Sequence, residues 1–278
     1  MSPDPWSFAG IDPSGGAGLY QDLRVFQSLG FRGRGVPTCL TVQNLNGVRR
    51  VEPVPEKIFS SMVETLAEES LPGALKIGLL PMSLCGVVEE FLGSLPVETP
   101  VVLDPVYHFG TGGGMVSPEE YRGMARILFS RVSLATPNLP EALELAGWSL
   151  ERYPDDLSLM ARRIHEQYGP PAILLKGGHF TGEGPKVDLF WTPLGETLYH
   201  HQPKPVSGVP GGGCTLSSLV AGLALISGGS PMEPVVSRAL ALYQRLLDGA
   251  VMPAGTTERA ILEPDRIHQG FPENSSPS

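Results

Sequence analysis

Short apolar runs closed by glycine or proline alternate along this chain with longer stretches in which apolar residues recur three and four apart. Strand-like runs separated by amphipathic helices pair in parallel, because each helix carries the chain back to the starting edge of the sheet. The pattern predicts an α/β fold, a central mainly parallel sheet with helices on both faces. Strands are expected at 7–11, 36–42, 74–79, 101–103, 134–136, 172–175, 187–191 and 197–200. Helices are expected at 18–29, 56–69, 83–92, 119–129, 139–146, 156–167, 214–226 and 233–247. No internal repeat or Ser/Gly linker divides the pattern, so 1–271 reads as one domain and the polar, Pro/Ser-rich 272–278 as a frayed tail. A chain of 278 residues, 41% of them hydrophobic, is large enough for one such core, since a domain of this size buries roughly three quarters of the surface its unfolded form exposes.

Charge narrows the function. Acidic residues exceed basic ones 29 to 20, a net charge of −9, and no Lys/Arg cluster is longer than a pair, which disfavours a nucleic-acid partner. An acidic protein can still hold an anion in a pocket of backbone N–H groups. Cys39, Cys85 and Cys214 are widely spaced and free of the patterns that mark zinc or redox sites, which suits a reducing cytoplasm. The first residues lack the basic and apolar regions of a signal peptide. The most apolar stretch, 216–226, is far shorter than the roughly 20 residues a membrane span needs.

Several segments could carry chemistry. Asp12-Pro13-Ser14-Gly15-Gly16-Ala17-Gly18 joins the first strand to the first helix, where glycines let backbone approach a ligand and the helix dipole favours anions; the alternative is a tight turn capped by Asp12 or Ser14. Gly211-Gly212-Gly213-Cys214-Thr215 opens another helix, leaving several N–H groups free to converge on an oxyanion. There the dipole is expected to lower the Cys214 thiol pKa, although an inert buried cysteine would look the same. Asn138 and Glu141 stand three apart at a strand-to-helix junction, able to hold a hydrated Mg²⁺ or to form a structural capping box. Lys176 and Asp104 each end a strand, at the edge where open α/β sheets bind ligands. A carboxylate, a lysine and a glycine-rich helix start are what phosphoryl transfer needs. The six histidines show no metal-ligand spacing and are expected to be structural or on the surface.

Taken in order, several segments resemble the hydroxymethylpyrimidine/phosphomethylpyrimidine kinases of thiamin biosynthesis, members of the ribokinase-like superfamily. They include Ala9-Gly10-Ile11-Asp12-Pro13-Ser14-Gly15-Gly16-Ala17-Gly18, Leu40-Thr41-Val42-Gln43-Asn44, Lys76-Ile77-Gly78, Thr136-Pro137-Asn138-Leu139-Pro140-Glu141-Ala142 and Leu175-Lys176-Gly177-Gly178-His179. The resemblance implies a cytoplasmic homodimer that uses ATP and Mg²⁺ to phosphorylate 4-amino-5-hydroxymethyl-2-methylpyrimidine and then its monophosphate. It places Gln43 at the pyrimidine ring with Gly10, Asp12 and Val42 beside it. Gly211, Gly213 and Cys214 become the anion hole, and Cys214 the base or proton relay. Lys176 becomes a phosphate contact, with Asn138, Gly211 and Gly212 also at the nucleotide, and Asp104 and Glu141 support the metal. The chain departs from the family at Pro210-Gly211-Gly212-Gly213-Cys214, where His-Gly-Thr-Gly-Cys is usual. The missing hydroxyl implies a slower kinase that Gly212→Thr would speed. Alternatives are a pyridoxal/pyridoxine kinase, or a pyrimidine-sensing protein of the same fold with weakened catalysis.

Overall fold

The computed structural model describes residues 3–44, 47–107, 116–180, 185–201, 209–228, 230–251, 260–265 and 267. Its nine strands are β1 (Pro5–Ile11), β2 (Arg34–Asn44), β3 (Gly47–Pro53), β4 (Ala74–Ile77), β5 (Val101–Leu103), β6 (Leu134–Ala135), β7 (Ile173–Leu175), β8 (Lys186–Thr192) and β9 (Gly195–His201). They form one sheet in the order β3-β2-β1-β4-β5-β6-β7-β8-β9. The six strands from β2 to β7 in that order run parallel; β3 pairs antiparallel at one edge, and β8 at the other pairs antiparallel with both β7 and β9. Every expected strand is present. β3 is additional: only Val48 in it is buried and Arg49 and Arg50 are exposed, so it lacks the apolar run that marks the others.

Among the described residues eight α-helices cover the sheet: α1 (Gly18–Ser28), α2 (Glu56–Glu69), α3 (Cys85–Ser94), α4 (Pro118–Leu128), α5 (Leu139–Ala146), α6 (Asp156–Tyr168), α7 (Gly212–Ser227) and α8 (Met232–Asp248). Side chains alternate across each strand, and the central strands are apolar on both sides. Trp6, Phe8, Leu75, Ile77 and Leu103 face one core, packed by α2 to α6. Val102, Leu134 and Leu174 face the other, packed by α1, α7 and α8. Helix α7 is sandwiched among the sheet, α1 and α8, which explains why it is apolar on nearly every side. Among the described residues, no helix is long and apolar enough to cross a membrane.

Two residues break the apolar pattern on the α1/α7 side of the sheet. Ser7 on β1 and Lys76 on β4 meet Asp22 of α1 in the interior. Lys76 Nζ lies 2.7 Å from Asp22 Oδ2, with neither side chain exposed. The Ser7 and Ser218 hydroxyls complete the carboxylate's shell at 2.6 and 2.8 Å. Burial opposes the Lys76 charge, but Asp22, Cys214 and Asp104 together hold the ammonium protonated.

The chain leaves β1 toward β2 on one side and later returns to β4 on the other. In open sheets such a reversal sets the ligand crevice, here at the carboxyl ends of β1 and β4.

Candidate active site

The crevice has two walls. In one, Asp104 follows β5 and Lys176 follows β7, and their side chains pair at 2.7 Å. The Thr136 hydroxyl also donates to Asp104 Oδ1 at 3.2 Å. Lys176 is fixed by its backbone, its N–H donating to Pro137 O at 2.8 Å and its carbonyl accepting from Leu139 N at 3.0 Å. Burial disfavours its ammonium group, while Asp104 and then Glu141 more than compensate.

Glu141 and Asn138 form the capping box of α5. Asn138 Oδ1 accepts from Glu141 N at 3.0 Å, and Glu141 Oε2 accepts from Asn138 N at 2.7 Å. Glu141 Oε1 accepts from Tyr107 N at 3.3 Å. Burial pushes the Glu141 carboxyl up to about 7, with Lys176 pulling it down and Asp104 adding to the rise. The structural reading of this motif is realised, and it leaves Glu141 buried within electrostatic reach of Asp104 and Lys176.

The start of α7 lies against this pair. A Cβ on Gly213 would stand 3.2 Å from both Asp104 Oδ2 and Lys176 Nζ, so glycine allows the helix start to touch them. The first helical bond is Thr215 N to Gly211 O at 2.8 Å. The amides of Gly213 and Cys214 have no acceptor among the described residues and are free for an anion.

Cys214 differs from expectation. Its thiol is pushed up to about 11, chiefly by burial; Lys76 opposes the rise, and Asp22 and Asp104 reinforce it. Two nearby carboxylates and desolvation outweigh the helix N-terminus, so the group is a thiol at neutral pH rather than a thiolate. The expected benefit of Gly212→Thr also meets an obstacle, because a Cβ at Gly212 would stand 2.5 Å from the Tyr243 hydroxyl oxygen.

The other wall is the turn after β1. Asp12 is 2% exposed. Its Oδ1 accepts from Ser14 N at 2.8 Å and Ser14 Oγ at 2.7 Å, while its Oδ2 is buried with no hydrogen-bond partner among the described residues. Gly10 is required by packing, since a Cβ there would meet Cys39 Sγ at 2.7 Å. Thr41 ties β2 to this turn by donating to Ile11 O at 2.8 Å, and its hydroxyl also lies 3.1 Å from Gln43 Oε1. Val42 is 53% exposed. The two walls join where Gly211, with φ +71°, presses on the turn so closely that a Cβ would overlap the Gly16 carbonyl oxygen.

Thus Gly10, Asp12 and Gln43 form one group, and Asp104, Glu141, Lys176 and Gly213 another. Lys76, Asp22, Ser218 and Tyr243 were not singled out as functional from the sequence. Among the described histidines, His165 bonds to Pro170 O and His201 to Asp188; His108 and His268 lie outside the described residues. No group of three His, Cys, Asp or Glu suited to a metal occurs among the described residues.

Comparison with known proteins agrees with this fold. The phosphomethylpyrimidine kinase family model matches residues 12–257. The hydroxymethylpyrimidine/phosphomethylpyrimidine kinase of Aquifex aeolicus is 33% identical over 217 residues, covering 77% of this chain and 83% of that protein. The structure of phosphomethylpyrimidine kinase from Clostridium difficile 630 superposes with TM-score 0.74 at 30% identity, over 87% of this chain and 98% of that one. An ADP complex of Bacillus subtilis pyridoxal kinase superposes with TM-score 0.82 at 22% identity, over 97% and 100%, a likeness of fold. Fold and relatives together define a ribokinase-like phosphotransferase. Within that class, the chain belongs to the phosphomethylpyrimidine kinase family.

Proposed function

We propose that this protein transfers the terminal phosphoryl group of ATP to the hydroxymethyl arm of 4-amino-5-hydroxymethyl-2-methylpyrimidine, and then phosphorylates the monophosphate, as a cytoplasmic homodimer in thiamin biosynthesis. Beyond family membership, the observation that carries the reading is Asp12 Oδ2, buried and without a partner among the described residues. A carboxylate oxygen in that state is unfavourable unless a ligand supplies a donor, and an aminopyrimidine does. Gln43, whose amide offers both a donor and an acceptor, takes another part of the ring edge.

Phosphoryl transfer needs positioning and charge neutralisation more than covalent help. The Gly213 and Cys214 amides and the Lys176 ammonium would bind the phosphate oxygens, while the alcohol oxygen forms its bond to phosphorus and the bond to ADP breaks. Cys214 takes the alcohol proton while passing its own thiol proton to solvent, a relay rather than a resident base. Asp104 and Glu141 suit Mg²⁺, which is commonly held by one or two carboxylates and completed by water and phosphate. When bound, the ion would neutralise charge on the phosphate oxygens.

The test is a mass spectrum of products after incubation with the pyrimidine alcohol, ATP and Mg²⁺. Monophosphate, diphosphate and ADP are expected. Faster turnover of pyridoxal in a parallel assay would favour a vitamin B6 kinase, and tight pyrimidine binding without ADP release would favour a sensor.

A further inference from the structure

Position 212 and Tyr243 are shaped to one another. Tyr243 lies on α8 in line with the buried residues Val236, Ala239, Leu240 and Leu246, and its ring packs against the core shared by α7 and α8. It approaches the first turn of α7 with its hydroxyl leading: a Cβ at Gly212 would be 2.5 Å from the oxygen and 3.6 Å from Cζ. The oxygen therefore fills the space a side chain at 212 would take. A side chain at 212 would have to displace that hydroxyl.

Tyr243 is half-buried, and no hydrogen bond joins its hydroxyl to another of the described residues. It stands against Gly212 in the first turn of α7, where the Gly213 and Cys214 amides also lack acceptors among the described residues. Burial pushes its pKa up, and Asp188 and Asp104 push in the same direction. At neutral pH it is an O–H donor with no negative charge to repel an anion. The first turn of α7 thus meets the Tyr243 hydroxyl at Gly212 and the Asp104–Lys176 pair at Gly213.

We propose that the Tyr243 hydroxyl donates to a phosphate oxygen of the nucleotide at the start of α7, adding a side-chain donor from α8 to the backbone anion hole. The assignment rests on the kinase reading above. It makes Tyr243 a phosphate-binding residue and explains the glycine at 212.

The decisive variants are Tyr243→Phe and the exchange Gly212→Thr/Tyr243→Phe. The first removes only the oxygen. The second returns a hydroxyl from the other helix, with Cζ left at an ordinary 3.6 Å from the new Cβ and with φ at 212 outside the positive region. Loss of one preorganised donor predicts a kcat reduced roughly tenfold to a hundredfold in Tyr243→Phe, at the lower end of such effects because two amides remain. Binding of the non-hydrolysable analogue AMP-PCP should weaken roughly fivefold, and pyrimidine Kd should stay within about twofold. The exchange should recover most of both losses, which a merely structural tyrosine would not allow. Unchanged kcat and AMP-PCP affinity in Tyr243→Phe would overturn the assignment, and so would losses that the folded exchange variant does not recover. If the wild-type protein makes no phosphorylated pyrimidine, the kinase reading fails while the AMP-PCP comparison still decides the role of Tyr243. Absence of AMP-PCP binding by the wild type overturns both.

Discussion

Lys76 Nζ and Asp22 Oδ2 meet at 2.7 Å inside the protein, both side chains fully removed from solvent. A buried charge stripped of its partner is strongly destabilising. Lys76→Met should lower unfolding free energy by roughly 3–5 kcal/mol in a denaturant titration, leaving Asp22 with only the Ser7 and Ser218 hydroxyls. Replacing both partners, as Lys76→Met/Asp22→Leu, should lose less than the single change. A double variant as unstable as the sum of its singles would mean that the two groups act independently.

Asp12→Asn tests the ring side of the site. The amide keeps an acceptor for Ser14 but replaces the second carboxylate oxygen with a donor. Pyrimidine affinity should fall by about 1–3 kcal/mol, read by calorimetry, while the melting temperature of the ligand-free protein holds or rises. A fall in melting temperature with affinity intact would assign Asp12 to the turn alone.

The pH dependence of Cys214 follows from its raised pKa. Only the thiolate reacts with iodoacetamide, and with the thiol pushed up to about 11 the thiolate fraction grows about tenfold per pH unit through the neutral range. Peptide-resolved alkylation should therefore keep rising from pH 7 to pH 10. A plateau near neutrality would restore the dipole-activated thiolate. Cys214→Ala should reduce kcat and leave pyrimidine affinity nearly unchanged.

Gly211→Ala should be among the most damaging single changes at the site. The new methyl would overlap the Gly16 carbonyl oxygen, and φ of +71° is strained for alanine. Turnover should drop by at least roughly tenfold, because small misplacements of reacting groups are costly. Gly228→Ala is a control for backbone strain: it has φ of +57° and open space around its Cβ. It should leave kcat near wild type.

The strands were readable because each central one is a short apolar run buried on both faces, as β4 and β5 are. Edge strand β3 was not, since its arginines face outward and only Val48 is buried. Asp104 and Lys176 were legible as charged residues ending such runs, and their pairing agrees with that placement. Asp22, Ser218 and Tyr243 were not. They occupy ordinary helix positions, and only packing brings Ser218 to Asp22 across 196 residues of chain. The raised Cys214 thiol was hidden for the same reason, because the Asp22 and Asp104 carboxylates that reinforce its rise are distant in sequence, whereas the helix dipole is local.

The contact of Gly211 with the Gly16 carbonyl leaves no room between the two glycine-rich segments even for a methyl group. The spacing between ring wall and phosphate wall is therefore a property of the main chain, which exchange of side chains cannot widen. Acceptance of a bulkier ring would have to come from the far side of the crevice, around Val42 and Gln43 on β2. Selection for new alcohols should accumulate changes on that strand and leave the junction of the two loops untouched.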